Sequence, residues 1–173
     1  WDGAVWVQVG ADINGEAAGD LSGSSVSLSA DGQTVAISAN RNSDGGTWAG
    51  HTRIYSWDGL AWNKLGEDID GESAGDGNGS NAGHVRIYSW TGSSWDQVGL
   101  DLDGESAGDE SGISVSLSAN GATVAIGAFY NDGNGSSSGH ARIYSWDGLV
   151  WKQLGTDLDG ESAGDTFGHS VAL

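Results

Sequence analysis

A segment that recurs four times along this chain constrains its fold more than any other feature of the sequence. In residues 142–165 the segment begins with Arg-Ile-Tyr-Ser-Trp and ends with Asp-Leu-Asp-Gly-Glu-Ser-Ala-Gly-Asp. Residues 53–76 and 86–109 are full copies, and residues 1–20 are a copy that lacks the first strand. Tandem self-similarity predicts an array of one small unit, in which each unit buries a face only against its neighbour.

The spacing of the copies defines the repeat. Asp12, Asp68, Asp101 and Asp157 are equivalent and lie 56, 33 and 56 residues apart, so the repeat is 56 residues long and the middle copy is 23 residues shorter. The sequence therefore divides into the last strand of a repeat at 1–20, a full repeat at 21–76, a truncated repeat at 77–109, a full repeat at 110–165 and the first strand of a further repeat at 166–173.

Each full repeat has the pattern of four short antiparallel strands. Residues 25–29 alternate Ser with Val or Leu, and the turn Asp31-Gly32 leads into a second strand at 34–38, which is typical of a β-hairpin. The third and fourth strands are predicted at 51–57 and 62–65. Four strands per repeat predict an all-β fold of β-propeller-type blades in tandem, and a β-solenoid or a fibre-forming repeat array is the alternative.

Composition limits both the core and the partners. With 31 Gly, two Phe and no Pro, Cys or Met, the core must be built from Val, Ile, Leu and Ala, with Trp and Tyr supplying bulk. A net charge of −18 and the absence of a basic stripe argue against a nucleic-acid partner. No apolar run is long enough for membrane insertion.

The strands predicted at 1–20 and 166–173 do not complete one blade between them, because two strands would still be missing. We therefore expect either adjoining repeats of the same chain or another copy of it to supply partners. Head-to-tail assembly into a fibre or a larger ring is the corresponding hypothesis.

Three motifs lie in the repeats or at their boundaries: Phe-Gly-His-Ser-Val-Ala-Leu at 167–173, Ala-Asn-Gly-Ala-Thr-Val-Ala-Ile-Gly-Ala at 119–128 and Gly-His-Ala-Arg-Ile-Tyr at 139–144. In these motifs the chain resembles the FG-GAP repeat family. This resemblance implies a propeller that serves as an extracellular or cell-surface adhesion or structural protein, with no catalytic residues. The Asp-rich calcium loop of integrin-like members does not transfer, because the corresponding links at 30–33 and 119–122 are short turns.

The acidic segments are the candidate metal sites. Carboxylates two residues apart share a face of an extended strand, and clustered carboxylates can supply the oxygen ligands that Ca²⁺ prefers. A solvated acidic rim that keeps the protein soluble is the alternative interpretation. The predicted ligands are Asp68, Asp70, Glu72, Asp76, Asp101, Asp103, Glu105, Asp109, Asp157, Asp159, Glu161 and Asp165.

Two loops contain N-glycosylation sequons, which start at Asn78 and Asn134. Their recurrence at equivalent positions makes N-glycosylation plausible if the protein is secreted from a eukaryotic cell. A coincidence in a sequence rich in Gly, Asn and Ser is the alternative.

Tryptophans occur in pairs that bracket the last hairpin turn of each repeat. We expect the indoles to pack across the two strands or between blades. Sugar stacking is the alternative, which would make the protein a carbohydrate-binding propeller. The residues concerned are Trp57, Trp62, Trp90, Trp95, Trp146 and Trp151, with Trp1 and Trp6 as a further pair.

His, Arg and Tyr alternate along each predicted third strand, as in His140-Ala-Arg142-Ile-Tyr144. A repeated Arg among so many carboxylates predicts ion pairs between blades. The spacing of the His residues, one on each blade, does not by itself predict a metal site. No Gly-x-Ser-x-Gly elbow and no acid and base pair is present, so the chain is not expected to be an enzyme.

The sequence as a whole therefore predicts an extracellular structural or adhesion repeat protein. Its partners would be other repeats, with a protein or glycan ligand as a further possibility. The carbohydrate-binding propeller is the alternative function.

Overall fold

The structure is a computed structural model that describes residues 4–44, 46, 49–71 and 81–173. Every regular element in these residues is a β-strand, which confirms the all-β prediction. The two full repeats each form an antiparallel sheet of the propeller-blade type, one after the other along the chain. No helix in the described part of the chain is long and apolar enough to cross a membrane.

The first blade follows the predicted strand pattern closely. It contains β1 (Ser22–Leu28), β2 (Thr34–Ala39), β3 (His51–Trp57), β4 (Trp62–Lys64) and β5 (Ile69–Asp70), in the sheet order β1-β2-β3-β4 with β5 also paired to β3. Alternate residues of β2 are buried, as a strand with one face in the core requires. A positive φ of 70° at Gly32 closes the β1–β2 turn.

The middle repeat forms only short strands: β6 (His84–Val85), β7 (Tyr88–Trp90), β8 (Trp95–Gln97) and β9 (Leu102–Asp103). β6 pairs with β9 and β7 with β8. The predicted third strand is thus interrupted at Arg86 and Ile87. This repeat lacks the hairpin that supplies a second strand in the full blades, so the third strand has no such neighbour along its length.

The last blade repeats the first. It contains β10 (Ser114–Leu117), β11 (Thr123–Ala128), β12 (His140–Trp146), β13 (Trp151–Gln153) and β14 (Leu158–Asp159), in the order β10-β11-β12-β13 with β14 also paired to β12. In β11 five of the six residues are buried, since this strand lies between two others.

The short strands β5, β9 and β14 were missed by the sequence analysis. They are the acidic segments, and they pair Asp70 with His51, Asp103 with His84, and Asp159 with His140. Two turn-rich segments also differ from the prediction, because residues 4–20 and 166–173 form no strand. The last of these makes only an isolated parallel bridge, between Phe167 and Gly139.

The described residues cluster into two compact units. One contains residues up to 71 together with 91–95, and the other contains 81–90 and 96–173. The core of the second unit joins two successive repeats. Val85, Ile87 and Leu102 of the middle repeat pack with Val124, Ile126 and Tyr144 of the last blade, and Val98 and Trp151 pack against them. The core therefore forms between repeats, as expected for a tandem array.

Candidate functional site at the junction between repeats

The main site is the junction where the end of one repeat docks on the next blade. We define three connectors, residues 4–20, 96–109 and 152–165. Each of them ends with an acidic segment. Connector 4–20 lies on the first blade and connector 96–109 on the last blade. The same hydrogen bonds recur in both places, so the junction is a repeated feature of the fold.

The tryptophan pairs bind the connector. Trp146 and Trp151 lie opposite each other on β12 and β13, with ring centroids 5.3 Å apart. The indole N–H of Trp151 donates to the Val98 carbonyl at 2.8 Å. In the first blade Trp57 and Trp62 are 5.4 Å apart, and Trp62 donates to the connector carbonyl of Val9 at 3.0 Å. Trp95 likewise donates to the Leu65 carbonyl at 2.8 Å.

The glycine after that carbonyl lies against the indoles. A Cβ on Gly99 would lie 2.8 Å from a ring carbon of Trp146 and 2.9 Å from one of Trp151, and Gly10 approaches Trp57 and Trp62 in the same way. A residue with a side chain would not fit without displacing the rings. This geometry supports the interpretation that the tryptophans pack within and between repeats, and it leaves the sugar-stacking alternative without a supporting observation in the described residues.

A buried arginine on the third strand holds the acidic segment of the connector. Arg142 donates through Nη2 to the Asp103 carbonyl at 2.7 Å and to Ser111 Oγ at 3.3 Å. Arg53 makes the same two contacts, with the Asn14 carbonyl at 2.9 Å and with Ser22 Oγ at 3.4 Å. Each guanidinium also lies over the ring of the tyrosine two residues later on its strand. Charge-assisted bonds of this kind fix the connector in place.

The histidine two residues before each arginine is buried between carboxylates. Nδ1 of His51 lies 3.7 Å from a carboxylate oxygen of Glu16 and 3.9 Å from one of Asp68. Nδ1 of His140 lies 3.8 Å from Glu105 and 3.8 Å from Asp157. Both imidazole side chains are 1% exposed. On each blade a buried histidine therefore lies near carboxylates of two successive acidic segments, and on the last blade the three ligand atoms also converge into one group.

The predicted metal ligands fall into several environments. Asp68 pairs with Lys64, whereas Asp101 and Asp157 accept hydrogen bonds from Gln97 and Gln153, each at 2.6 Å. Asp68 thereby raises the pKa of the Lys64 ammonium, through its hydrogen bond first and its charge second. These interactions orient the first carboxylate of each segment.

Other carboxylates of the acidic segments accept hydrogen bonds from backbone or side-chain N–H groups, or are exposed to solvent. Asp109 accepts from the Asn131 amide at 2.8 Å and from the Ser106 N–H at 3.1 Å, and Asp165 accepts from the Ser162 N–H at 2.8 Å. Asp159 and Glu161 are exposed. Glu72 and Asp76 lie outside the described residues.

Among the described residues, each group of side chains able to hold a metal contains a histidine. They are Glu16, Asp44 and His51; His51, Asp68 and Asp70; and Glu105, His140 and Asp157. Carboxylates two residues apart were expected to form a metal site within one acidic segment. In the described residues, no acidic segment provides a complete group by itself. A β-strand keeps these carboxylates in a row along its length, whereas a metal needs ligands that converge.

Of the two predicted glycosylation positions, Asn134 is described and Asn78 lies outside the described residues. Asn134 is exposed, and its side-chain amide donates to the Gly160 carbonyl at 3.1 Å. Attachment of a glycan to that nitrogen would replace this contact.

The hairpin turn between the third and fourth strands carries a perturbed carboxylate. The Lys152 ammonium, 2.6 Å from Asp147, and the N–H groups of Val150 and Leu149 lower the pKa of Asp147 to about 2. Asp58, in the first blade, also has a lowered pKa, caused mainly by the N–H groups of Ala61 and Leu60. At the core, burial raises the pKa of the Tyr144 phenol. None of these groups lies among the carboxylates around His51 or His140.

One signal in the sequence could have revealed the cluster. His51 follows Glu16 and precedes Asp68 by the same separations at which His140 follows Glu105 and precedes Asp157. The invariance of these separations across repeats predicts a shared position, but convergence of the side chains requires the docked connector. The glycine of the acidic segment is explained similarly: a Cβ on Gly104 would lie 2.1 Å from the Ala82 carbonyl oxygen, so only glycine permits the close approach.

Comparison with known families agrees with this geometry. Residues 100–144, which span the docked connector and most of the last blade, match the model of the FG-GAP repeat. A search of curated proteins finds no significant match. The match confirms the resemblance and connects this segment to a repeat whose blades form β-propellers.

Proposed function

We propose that this chain, whose residues 100–144 are an FG-GAP repeat, is an extracellular structural or adhesion module that assembles head-to-tail with further copies of itself. Placement outside the cell and the adhesive role rest on the family. The assembly rests on a comparison of two equivalent surfaces within the second compact unit.

The observation that carries the proposal is an uncovered face of the last blade. We call this surface the trailing face and define it as Ala141, Ile143, Leu154 and Leu158, of which Ala141 is buried, Ile143 is half-buried and the two leucines are exposed. In the preceding repeat the equivalent positions are Val85, Ile87, Val98 and Leu102, and these pack in the core against the last blade. Leu102 is 8% exposed, whereas Leu158 is 48% exposed and Leu154 is 51% exposed.

The trailing face is also concave. Ala141, Ile143 and Leu158 line a cleft of about 390 Å³, together with Ala125 and residues 166–173. Exposed apolar surface next to a cleft of this kind is characteristic of an interaction site. A further blade placed there would bury leucines that are exposed in the described chain.

The occupant we propose is the first blade of a second copy. The surface that receives a connector includes Val35, Ile37, Tyr55 and Trp62 in that blade, equivalent to Val124, Ile126, Tyr144 and Trp151 of the last blade. A cleft of about 240 Å³ lies beside Tyr55 and Trp62. The incoming connector would take the place of residues 4–20, as in domain-swapped assemblies.

Charge opposes this association. Each copy carries a net charge of −18, so two copies repel one another at low ionic strength. Salt screens repulsion between exposed charges, and self-association should therefore strengthen as salt is raised. Calcium bridging of exposed carboxylates remains a separate prediction, tested by whether a calcium chelator weakens the association at constant ionic strength.

The test is sedimentation equilibrium of the whole chain from roughly 10 to 500 µM, a range suited to weak association. We expect the average mass to rise with concentration. Leu158→Asp should weaken association by at least about tenfold, because it places a charge in the contact. Leu149→Asp is the matched control, since Leu149 is 79% exposed on the hairpin turn outside the trailing face. A monomer at all concentrations, or equal effects of the two variants, would overturn the proposal.

A further inference from the structure

We propose that the junction between repeats binds a divalent transition-metal ion, with Zn²⁺ as the best candidate, through one histidine and two carboxylates. The ligands are Glu105, His140 and Asp157 on the last blade; on the first blade His51 would bind the ion either with Asp68 and Asp70 or with Glu16 and Asp44. The last-blade site is independent of the head-to-tail assembly, because Glu105, His140 and Asp157 lie within one compact unit and outside residues 4–20, which an incoming connector would replace.

The first observation is the state of His51. Its side chain is 1% exposed, and neither ring nitrogen has a hydrogen-bond partner among the described residues. Nδ1 points between Glu16 and Asp68, at 3.7 and 3.9 Å, which is beyond hydrogen-bonding distance. A buried polar atom without a partner is costly, and a metal ion bound by His51 with Asp68 and Asp70, or with Glu16 and Asp44, would satisfy it.

The second observation is that a buried histidine facing two carboxylates recurs on the last blade, where Nε2 of His140 is the ring nitrogen without a hydrogen-bond partner in the described residues. His140 is also 1% exposed, and its Nδ1 is 3.8 Å from both Glu105 and Asp157. The four separations in the two sites therefore differ by only a few tenths of an ångström. The contributing residues come from three parts of the chain in each case, so local sequence alone does not produce the convergence.

The separations suit a small ion. Zn²⁺ binds nitrogen and oxygen at about 2.0 to 2.2 Å, which places tetrahedral ligands roughly 3.3 to 3.6 Å apart. On the last blade, the observed 3.8 Å from His140 Nδ1 to each carboxylate requires a contraction of only a few tenths of an ångström. The Glu105 side chain is 45% exposed and the Asp157 side chain 25% exposed, so both have room to adjust. Water would complete a tetrahedral shell.

The donor set favours a transition metal over calcium. Ca²⁺ takes six to eight oxygen ligands, whereas imidazole nitrogen suits Zn²⁺ and its neighbours in the first transition series. The family's calcium chemistry thus does not fit the residues that converge at this junction.

The arginine beside each histidine positions one ligand. Arg142 Nη1 lies 3.8 Å from Oε1 of Glu105, while Oε2 of the same carboxylate faces His140. Arg53 is 3.5 Å from Oε1 of Glu16 in the same way. The guanidinium therefore directs the second oxygen of the glutamate towards the metal position, as outer groups commonly do in metal sites.

The test is calorimetric titration of the whole chain with Zn²⁺ after removal of metals, at low protein concentration so that assembly does not contribute. Co²⁺ is titrated in parallel, because its visible absorption reports a nitrogen and oxygen ligand set. We expect Glu105→Gln to weaken one site by at least about tenfold. His140→Asn should have the same effect, and the exposed Glu105 provides a variant that keeps the fold if the buried histidine cannot be replaced.

Two variants are controls. Glu161 is the equivalent of Glu105 in the last connector, and it is exposed, so Glu161→Gln should leave Zn²⁺ binding unchanged. His169→Asn tests an exposed histidine outside the cluster. The proposal is overturned if Zn²⁺ does not bind, if Glu105→Gln and Glu161→Gln have equal effects, or if Ca²⁺ displaces Zn²⁺ at equal concentration.

Discussion

The middle repeat and the last blade contain nearly the same third strand in two different states. Residues 84–90 form two short strands with a break, whereas His140–Trp146 is one continuous strand of seven residues. The sequences differ within this stretch only by Val85 in place of Ala141. The neighbouring strand makes the difference: β12 pairs with β11 along six residues, and the middle repeat lacks the hairpin that contains this strand.

Burial differs in the opposite direction: the connector of the middle repeat is more buried than that of the last blade. The leucine of the middle connector, Leu102, is 8% exposed, and its equivalent Leu158 is 48% exposed. The last blade follows Leu102 and covers it, whereas Leu154 and Leu158 on the trailing face are about half exposed. Strand continuity is thus set by the neighbour within a sheet, and burial is set by the next repeat. Four predictions test this separation.

The largest effect is expected from the two leucines. Leu102→Ala should lower the free energy of unfolding by about 3 kcal/mol, because it leaves a cavity in the core between repeats. Leu158→Ala should cost less than about 1 kcal/mol, since the side chain is half exposed. Urea denaturation at low protein concentration measures both. Equal losses would show that the trailing face is already covered in the isolated chain.

A glycine pair tests the docking contact itself. Gly99 and Gly155 are equivalent and have φ angles of 81° and 76°, so alanine is strained at both, by about 1 to 2 kcal/mol. Only at Gly99 would the added Cβ meet the indoles of Trp146 and Trp151; nothing lies within 4 Å of the Cβ position of Gly155. Gly99→Ala should therefore be more destabilising by about another 1 to 3 kcal/mol.

The difference between the two melting curves isolates the overlap with the tryptophans from the backbone strain. If Gly99→Ala and Gly155→Ala melt together, the connector does not lie on the tryptophan pair in solution.

Hydrogen exchange tests strand continuity. Backbone amides of residues 140–146 should exchange at least about tenfold more slowly than those of residues 84–90, because an interior strand opens less readily than one with a missing neighbour. Exchange followed by mass spectrometry resolves the two peptides. Similar protection in both would mean that a neighbour also covers the middle strand.

The smallest effect is expected at the hairpin turns. The pKa of Asp147 is lowered to about 2 by Lys152 and by two backbone N–H groups, so its carboxylate stabilises the fold above about pH 4 and this contribution is lost as the pH falls through about 2. Asp147→Asn should lower the melting temperature at pH 5, and the difference from the unmodified chain should narrow on acidification. A constant difference from pH 5 to pH 2 would contradict this.

The middle repeat provides the control for that titration. Its turn has Thr91 in place of the aspartate, and Thr91 Oγ1 accepts from the Ser94 N–H at 3.1 Å. Thr91→Val should change stability by the same amount across the acidic range, because a hydroxyl does not titrate there.

Much of the fold could be predicted from the pattern of residues. The β1–β2 hairpin was expected at 25–38 and is found at Ser22–Ala39, because alternation and the Asp31-Gly32 turn are local signals. Strands were expected within 1–20 and 166–173, but the described residues 4–20 and 166–173 form none. The short strands β5, β9 and β14 were missed because only two residues pair in each.

The candidate site was harder to predict. The acidic residues and the buried His and Arg were identified by their recurrence, and the invariance of their separations was a usable signal. The sequence did not predict which carboxylates meet which histidine, because His140 lies near Glu105 of one connector and Asp157 of the next. The predicted calcium sites and the glycosylation of Asn134 remain predictions.

By itself, the sequence determined the repeat, the order of strands in a full blade and the residues that face one another across each hairpin, because these depend on alternation and turn chemistry over short distances. Only the tertiary structure decided which surfaces are covered, which strands stay continuous and which carboxylates meet a histidine. Those outcomes depend on docking between repeats, where residues distant in the chain become neighbours and burial makes each unpaired polar atom costly.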